Sequence, residues 1–572
     1  NEYLKAENLL KEKILVNPAQ KYLHVEIGYN FDRQQKKELA TKEYLLAIEA
    51  IETNPNLGGV IGRMFRQNNL LDYAIEAYSK TMELNKNANY EFAIAQIYGE
   101  KGEFEKMFEF YIALIDKNEG YLAGVQRYVS RYINEDASNN NNIAFKKSLL
   151  RKSISNPKNA WNELLSWLFT KQKEYNKAFI QEKALFKRDP NYIEAIFRLG
   201  KIAFENNDPK TAKECFEFIL ENSRRATIER IAALPKKSAS GELTVDGFEH
   251  PITLKVKIII HKDKIISDFT GSSGLDKKGI NCPLVYTKAY ACYALKVAIA
   301  PEIPNNAASL APFEIVAPVD TIVNAIHPAP VALRHIIGHF VPDAVFNAFD
   351  KIVPSVVPAE GAGCLCNFQV SLRPSSDSLL GKNAKRSEVL TFNSGGSGAR
   401  PKHDGLNATA FPSGVMTMPI EATEHAGPVI IWRKELRPDS GGNGKQRGGL
   451  GQYMEVGAQE GYEFDFQAMF DRVNYPALGR RGGGSGASTS IEQDNGTPMN
   501  GKGKQFVPNG RKVIMAFPGG AGYGDAKDRA LDNVKRDLLR GYISIKTAKE
   551  YYGLSKEEID VVQKAIVNGE DF

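Results

Sequence analysis

The chain has 572 residues, 42% of them hydrophobic and 25% charged, and a formal net charge of +6. That length exceeds what one hydrophobic core organises, so at least two domains are expected. The near-average composition excludes a disordered chain. No 18-residue apolar run is present to span a membrane, and no block of like charge marks a nucleic-acid arm.

Five cysteines, Cys215, Cys282, Cys292, Cys364 and Cys366, are scattered along the sequence. Odd in number and widely spaced, they argue against a disulfide framework and for a reducing compartment. Cys364-Leu-Cys366 has the wrong spacing for a metal knuckle, so these thiols read as small buried side chains. Without a charged and then apolar leader, a cytoplasmic location is expected. The chain begins at Asn1, which reads as a fragment or processed product.

Residues 1–220 hold 9 of the 48 glycines and 5 of the 27 prolines. Gly and Pro disrupt helix interiors and serve turns, so this part is expected to be helical and the remainder rich in strands and loops. The helical part repeats. Gly28 and Gly62 lie 34 residues apart, as do Phe31 and Phe65, Ala40 and Ala74, Tyr44 and Tyr78, Ser166 and Gly200, and Ala178 and Ala212. A small residue twelve positions before an alanine allows two helices to approach closely, with Phe65 and Tyr78 filling the adjoining layers. "SNPKN" (155–159) and "RDPNY" (188–192) are expected to stop one helix and start the next. "EDASNNNNI" (135–143) reads as a polar loop. The pattern resembles the tetratricopeptide repeat, whose period is 34. That resemblance covers residues 1–222 and implies an all-α solenoid that holds an unknown protein or peptide and carries no catalytic groups.

From Ile252 the hydrophobic period becomes two. Ile252, Leu254, Val256, Ile258 and Ile260 share one face, and "IISDFTG" reads as the return strand. Tyr462, Phe464, Phe466, Ala468 and Phe470 alternate in the same way, and "VIIW" (429–432) and "KVIMAF" (512–517) are further strands. Ser555 and Glu558 form a capping box for a terminal helix. Residues 223–572 are therefore expected to be a mixed α+β domain with glycine-rich loops.

The densest glycine stretch is "RPDSGGNGKQRGGLGQ" (437–452). A phosphate-binding P-loop requires Gly-Lys-Ser/Thr, and here Gly444-Lys445 is followed by Gln446. "GGAGYGD" (519–525) and "RRGGGSGAS" (480–488) also lack nucleotide-binding context, so most of these glycines are expected to serve turns.

Seven blocks nevertheless fall in a telling order: "SDFTGSSGLDKKGINCP" (267–283), "HPAPVALR" (327–334), "GGSGARPKHDG" (395–405), "PIEATE" (419–424), "DSGGNGKQRGGLG" (439–451), "FPGGAGYGD" (517–525) and "GYISIKTAKEYYGL" (541–554). Together they resemble the C-terminal portion of the hydantoinase B/5-oxoprolinase family over about 224–555. Ala521, Ala526 and Asp320 depart from its pattern.

The resemblance implies a hydrolase that opens a five-membered cyclic amide, hydantoin or 5-oxoproline, at the expense of ATP. It places the ATP on a hydantoinase A-type partner subunit that phosphorylates the ring amide, while the B part directs water onto the activated carbon. It also implies a divalent metal, held by an "NDPY…GGTH…D" block and a later His/Asp block. Neither block is found in this chain, so no cofactor is expected within it and impaired activity is expected. Strands such as 252–260 are then expected to lack their usual neighbours. His335 and His339 have helical metal spacing, but Pro342 is expected to turn Asp343 off their face, and no metal site is assigned.

Asp404, Glu421 and Arg447 are the catalytic candidates, because ring opening needs a base and a group to take charge developing on oxygen. Arg447, after a glycine run, is suited to clamp a carboxylate or phosphate. Arg400, Glu424, Asp439, Asp471 and Arg472 are candidates for substrate binding or subunit contact. Two other readings compete with the enzyme: an interaction scaffold with an inert C-terminal half, and an unnatural join of two unrelated reading frames at about 221–230, where no Pro/Gly/Ser spacer separates the parts.

Overall fold

A computed structural model describes residues 2–376, 378–379 and 385–569. The chain divides into two compact units, Asn1–Ile219 and Leu220–Phe572.

In the first unit the helices are α1 (Glu2–Val16), α2 (His24–Arg33), α3 (Lys37–Thr53), α4 (Gly58–Gln67), α5 (Leu71–Leu84), α6 (Glu91–Glu100) and α7 (Phe104–Lys117). They continue with α8 (Leu122–Val129), α9 (Asn140–Ser155), α10 (Asn159–Lys171), α11 (Tyr175–Arg188) and α12 (Ile193–Glu205), and α13 (Pro209–Ala232) begins in this unit and ends in the second. Consecutive helices pack as pairs: α2 with α3, α4 with α5, α6 with α7, and α10 with α11. The recurring small residues explain the pairing. A Cβ on Gly28 would lie 2.4 Å from the Tyr44 ring, and one on Gly62 would lie 2.5 Å from the Tyr78 ring. Each ring occupies the space its facing glycine leaves.

The helix boundaries follow from capping. Asp189 accepts a hydrogen bond from the Asn191 N–H at 2.9 Å, and Pro190 opens a single 3₁₀ turn before α12. One expectation needs correction here. The polar loop is confined to 135–139, because the Asn139 side chain caps α9 through the Asn141 N–H, and buried Asn142 donates to the carbonyls of Asn134 and Asp136. The segment 221–230 follows the boundary between the two units at 219/220, next to the expected 222/223. It contains neither Pro nor Gly and lies wholly within α13.

The second unit begins with β1 (Ser238–Val245), β2 (Ile252–Ile260), β3 (Ile265–Asp268), α14 (Leu284–Ile299), α15 (Ala307–Leu310), β4 (Phe313–Val316), α16 (His335–Gly338) and α17 (Val341–Phe349). The first sheet has the order β1-β2-β3-β4, antiparallel except for the parallel β3–β4 pair. Contrary to expectation, β2 keeps a neighbour on each side. Its alternating Ile252, Leu254, Val256, Ile258 and Ile260 are buried, and α17 lies against β1 and β2.

The chain continues through β5 (Asn367–Pro374), β6 (Ser387–Thr391), α18 (Ile420–His425), β7 (Val429–Leu436), β8 (Gln452–Ala458), β9 (Tyr462–Met469), β10 (Ser490–Gln493), β11 (Lys502–Val507) and β12 (Lys512–Ala516). It closes with α19 (Leu531–Leu539), α20 (Ile545–Glu550) and α21 (Lys556–Asn568), the last opened by the Ser555–Glu558 capping box. Two further antiparallel sheets result, β10-β12-β8-β7 and β11-β9-β5-β6. Their inward side chains, among them Val456, Met515, Phe464, Phe466 and Phe470, join the residues of the first sheet in one continuous core.

Between the strands, residues 395–405, 441–451, 479–486 and 519–524 pack backbone against backbone. Gly520 donates to the Gly449 carbonyl at 2.9 Å, Gly449 to Ser397 at 2.9 Å, and Gly442 to Gly520 at 2.8 Å. A Cβ on Gly520 would fall 1.9 Å from the Ser397 carbonyl oxygen, and one on Gly396 would fall 1.8 Å from that of Gly449. No side chain fits either position without separating the stretches. Gly520→Ala should therefore cost roughly 3 kcal/mol or more, at or beyond the upper end of overpacking losses. Gly274→Ala, where the added carbon meets nothing within 4 Å, should stay within about 0.5 kcal/mol. Denaturant unfolding of the two variants, followed by circular dichroism, checks the contrast.

Candidate functional site

The glycine stack brings two of the catalytic candidates together. Gly405 donates to the Arg447 carbonyl at 2.7 Å, and the Arg447 N–H donates to Asp404 Oδ1 at 2.7 Å. Arg529, absent from the sequence-based candidates, completes the arrangement. Its Nη1 and Nη2 donate to the two Asp404 oxygens at 2.7 and 2.8 Å, and Nη2 also reaches Asp537 Oδ2 at 2.7 Å. Arg447 Nε donates to the same Asp537 oxygen at 3.1 Å, and its guanidinium lies 5.2 Å from the Tyr542 ring centre. Arg447, Arg529 and Asp537 are buried, while the Asp404 side chain is one third exposed. Burial opposes ionisation of Asp404, but the Arg529 fork outweighs it and holds the carboxyl below the usual carboxylate range.

These residues line a recess of about 220 Å³ that Asn533, Arg536, Arg540 and Tyr542 complete. Four arginines face two aspartates, so the recess keeps a positive excess suited to an oxyanion such as a carboxylate or phosphate. The exposed Arg536 and Arg540 supply that excess. The Arg447 fork is already taken: beyond Asp537, its Nη1 donates to the Gly448 carbonyl at 2.6 Å and to Asn407 Oδ1 at 3.4 Å. A buried arginine so committed holds structure, and its removal is not expected to leave the melting temperature unchanged.

The other candidates lie apart from this recess or on its outer loops. Arg400 is exposed and donates to the Asp404 carbonyl at 3.0 Å. Glu421 is exposed in the first turn of α18, and Glu424 accepts the Ile431 N–H at 2.8 Å, tying α18 to β7. Asp439 has φ +58° and accepts the Ser544 N–H at 2.8 Å.

Arg472 belongs to a second, fully buried network. It donates to Glu360 Oε2 at 3.1 Å, to Asp343 Oδ2 at 3.4 Å and to the Gly361 carbonyl at 2.9 Å. Asp343 thus pairs with Arg472. Burial, with the nearby Glu360 charge, pushes its carboxyl well above the ordinary range. Asp471 is fully buried beside Lys502, 2.7 Å away, its Oδ1 has no partner, and burial raises its pKa to about 6. Lys502 forms part of the wall of a 490 Å³ cavity that also includes Asp246, Phe248, His250 and Tyr475.

The divalent metal implied by the resemblance finds no donor set here. Among the described residues no three His, Cys, Asp or Glu side chains gather closely enough to hold an ion. His335 and His339 are 6.0 Å apart between ring centres, and burial lowers the His339 pKa to about 3. Pro342 lies at the start of α17, separate from α16. No helix among the described residues is long and apolar enough to cross a membrane.

Comparison with known proteins gives this geometry its context. The Hydantoinase B/oxoprolinase family model matches residues 197–526, more than half of the chain, and the chain belongs to that family. The match begins within α12, ahead of the expected residue 224. The putative B-type subunit of a D-/L-hydantoinase from Pseudomonas sp. is 28% identical over 394 residues, 64% of this chain and 63% of that protein. An uncharacterised protein of Methanocaldococcus jannaschii is 31% identical over 310 residues, 53% of this chain and 52% of that one. The chain thus spans between about half and just under two thirds of these relatives. The crystal structure of an ATP-dependent caprolactamase from Pseudomonas jessenii is similar in fold, with a TM-score of 0.53 and 20% identity, over 65% of this chain and 66% of that one.

Two stability results follow. Arg529→Ala removes the two-point contact to Asp404 and leaves the buried Asp537 with Arg447 as its remaining cation, and should cost about 3 kcal/mol in chemical denaturation. Asp471, raised to about 6 from an ordinary 3.8, binds its proton more tightly folded than unfolded. Its contribution is full below about pH 3.8 and is lost as pH rises through about 6. Asp471→Asn should flatten the fall in stability between those limits, read from unfolding midpoints across the range.

Proposed function

We propose that this chain acts as a hydantoinase B-type subunit of an enzyme that opens a five-membered cyclic amide, hydantoin or 5-oxoproline, at the expense of ATP. Family membership over more than half of the chain carries this reading. The nucleotide is assigned to a hydantoinase A-type partner subunit. The glycines at 441–451 are occupied by backbone contacts and offer no phosphate-binding turn between a strand and a helix. Transfer of the terminal phosphoryl group of ATP to the ring amide oxygen makes the ring carbon electrophilic; water adds there, the ring C–N bond breaks with the nitrogen taking a proton, and a second water cleaves the resulting acyl phosphate to release inorganic phosphate.

In this reading the arginine-lined recess takes an anionic group of the substrate, either the carboxylate of 5-oxoproline or the transferred phosphoryl group. Asp404 and Asp537 hold Arg447 and Arg529 in place, and Arg536 and Arg540 meet the anion. No step is routed through a metal held by this chain.

The first unit is read as a tetratricopeptide-type solenoid that holds a partner protein. The glycine–tyrosine pairs Gly28–Tyr44 and Gly62–Tyr78, one repeat apart, support this.

The test is phosphate release dependent on 5-oxoproline or hydantoin after an A-type subunit is added. Release that requires both chains and the cyclic amide is expected; none from a folded mixture would overturn the reading. Arg540→Ala, at an exposed position, should raise KM about tenfold, the loss of one charge-assisted hydrogen bond, with the melting temperature unchanged. An unaltered KM removes Arg540 from the anion site.

A further inference from the structure

A cavity in the helical unit has a lining that the enzyme-like features do not explain. It measures about 640 Å³ and is formed by α8, α10, α11, α12 and the turn at 189–192. Glu182, on α11, forms part of its lining and is only 8% exposed. The Ser166 hydroxyl donates to Glu182 Oε1 at 2.5 Å, while Oε2 has no hydrogen-bond partner. Burial raises the Glu182 pKa, and its ionised form, with half its acceptor capacity unused, costs stability unless a cation pairs with it.

The charge around it is mostly acidic. Glu163, Asp189 and Glu194 share the lining with Glu182, against one cation, Arg198. Glu163 accepts the Tyr192 hydroxyl, and Asp189 caps the turn through the Asn191 N–H. Glu182 Oε2 is thus the buried acceptor left open beneath an acidic rim. Trp167, Leu199 and Ile202 add an apolar wall, suited to the methylene stem of a long side chain whose charged end lies deeper. A guanidinium is best met by a two-oxygen fork. One free oxygen suits the point charge of an ammonium.

We propose that this cavity receives a lysine side chain of a partner polypeptide, with its ammonium paired to Glu182 and its stem against Trp167. The proposal rests on reading the helical unit as a surface that holds a partner, and it specifies the chemistry that surface recognises. It is independent of the ring-opening activity. The volume, several times that of one lysine side chain and within the range of ligand sites, leaves room for the backbone and neighbouring residues of the bound segment.

The test is fluorescence anisotropy of the full chain with short labelled alanine-rich peptides that differ at one central residue: lysine, acetyl-lysine, arginine or glutamate. The lysine peptide should bind, and acetylation should weaken it at least about tenfold, as expected for a buried charge-assisted contact. Glu182→Gln should weaken the lysine peptide by a similar factor and leave the others unaffected. Arg198→Glu, at an exposed rim position, should tighten it several-fold, so the inference stays testable even if the Glu182 variant does not fold. Equal binding of lysine and acetyl-lysine peptides, or no response to either substitution, overturns the proposal. Preference for the glutamate or arginine peptide overturns the lysine assignment and keeps the holding surface. Binding of none of the four overturns both.

Discussion

The second unit depends on the absence of side chains at a few positions. Where the Ser397 carbonyl oxygen would be 1.9 Å from a Cβ on Gly520, four stretches of chain lie closer than any other residue permits. Hydrogen bonds such as Gly449 to Ser397 and Gly520 to Gly449 join them, so backbone polar groups that would otherwise be buried without partners satisfy one another. This contact sets the distance between Asp404 and Arg447, which are far apart in sequence. Arg529 can then bridge Asp404 and Asp537. The recess is a consequence of glycine packing rather than of any local motif.

Charge is distributed in that unit according to what burial permits. Arg472 is wholly enclosed and has Glu360, Asp343 and several carbonyls around it. Asp343 and Asp471 each keep one oxygen without a partner, and burial shifts both carboxyls upward. Asp404, with part of its surface in solvent and a two-point arginine contact, shifts the other way. The same residue type therefore takes opposite protonation behaviour within one unit, governed by whether full burial outweighs the neighbouring cation, as at Asp343 and Asp471, or a two-point arginine contact outweighs partial burial, as at Asp404.

The helical unit relies on a different economy. Its core is built from rings seated on small residues, as Tyr44 is on Gly28 and Tyr78 on Gly62. Polar side chains there cap helices, as Asn139 and Asp189 do, or pair with one another at the surface, as Arg66 does with Glu100. Glu182 is a buried carboxyl in the cavity wall, held by one hydroxyl and open at one oxygen. The enzyme family supplies no reason for it, and its surroundings point to a cationic occupant.

The sequence alone determined the periodicities, and with them the element types. Alternation at 252–260 and 462–470 meant strands because successive side chains point to opposite faces, and the 34-residue recurrence meant paired helices because small residues must face large ones. Ordered motif blocks also marked the family. Pairings between distant residues were not legible. Arg529 lies outside every glycine-rich block, in "KDRAL", and carries no local sign of its role; only the folded glycine stack places it against Asp404. Arg447 looked free for a ligand because a sequence does not show that Asp537, 90 residues away, takes its fork. Tertiary structure likewise decided that β2 is flanked on both sides and that α13 runs through 221–230, since both depend on which neighbours complete the hydrogen bonds and bury the apolar face.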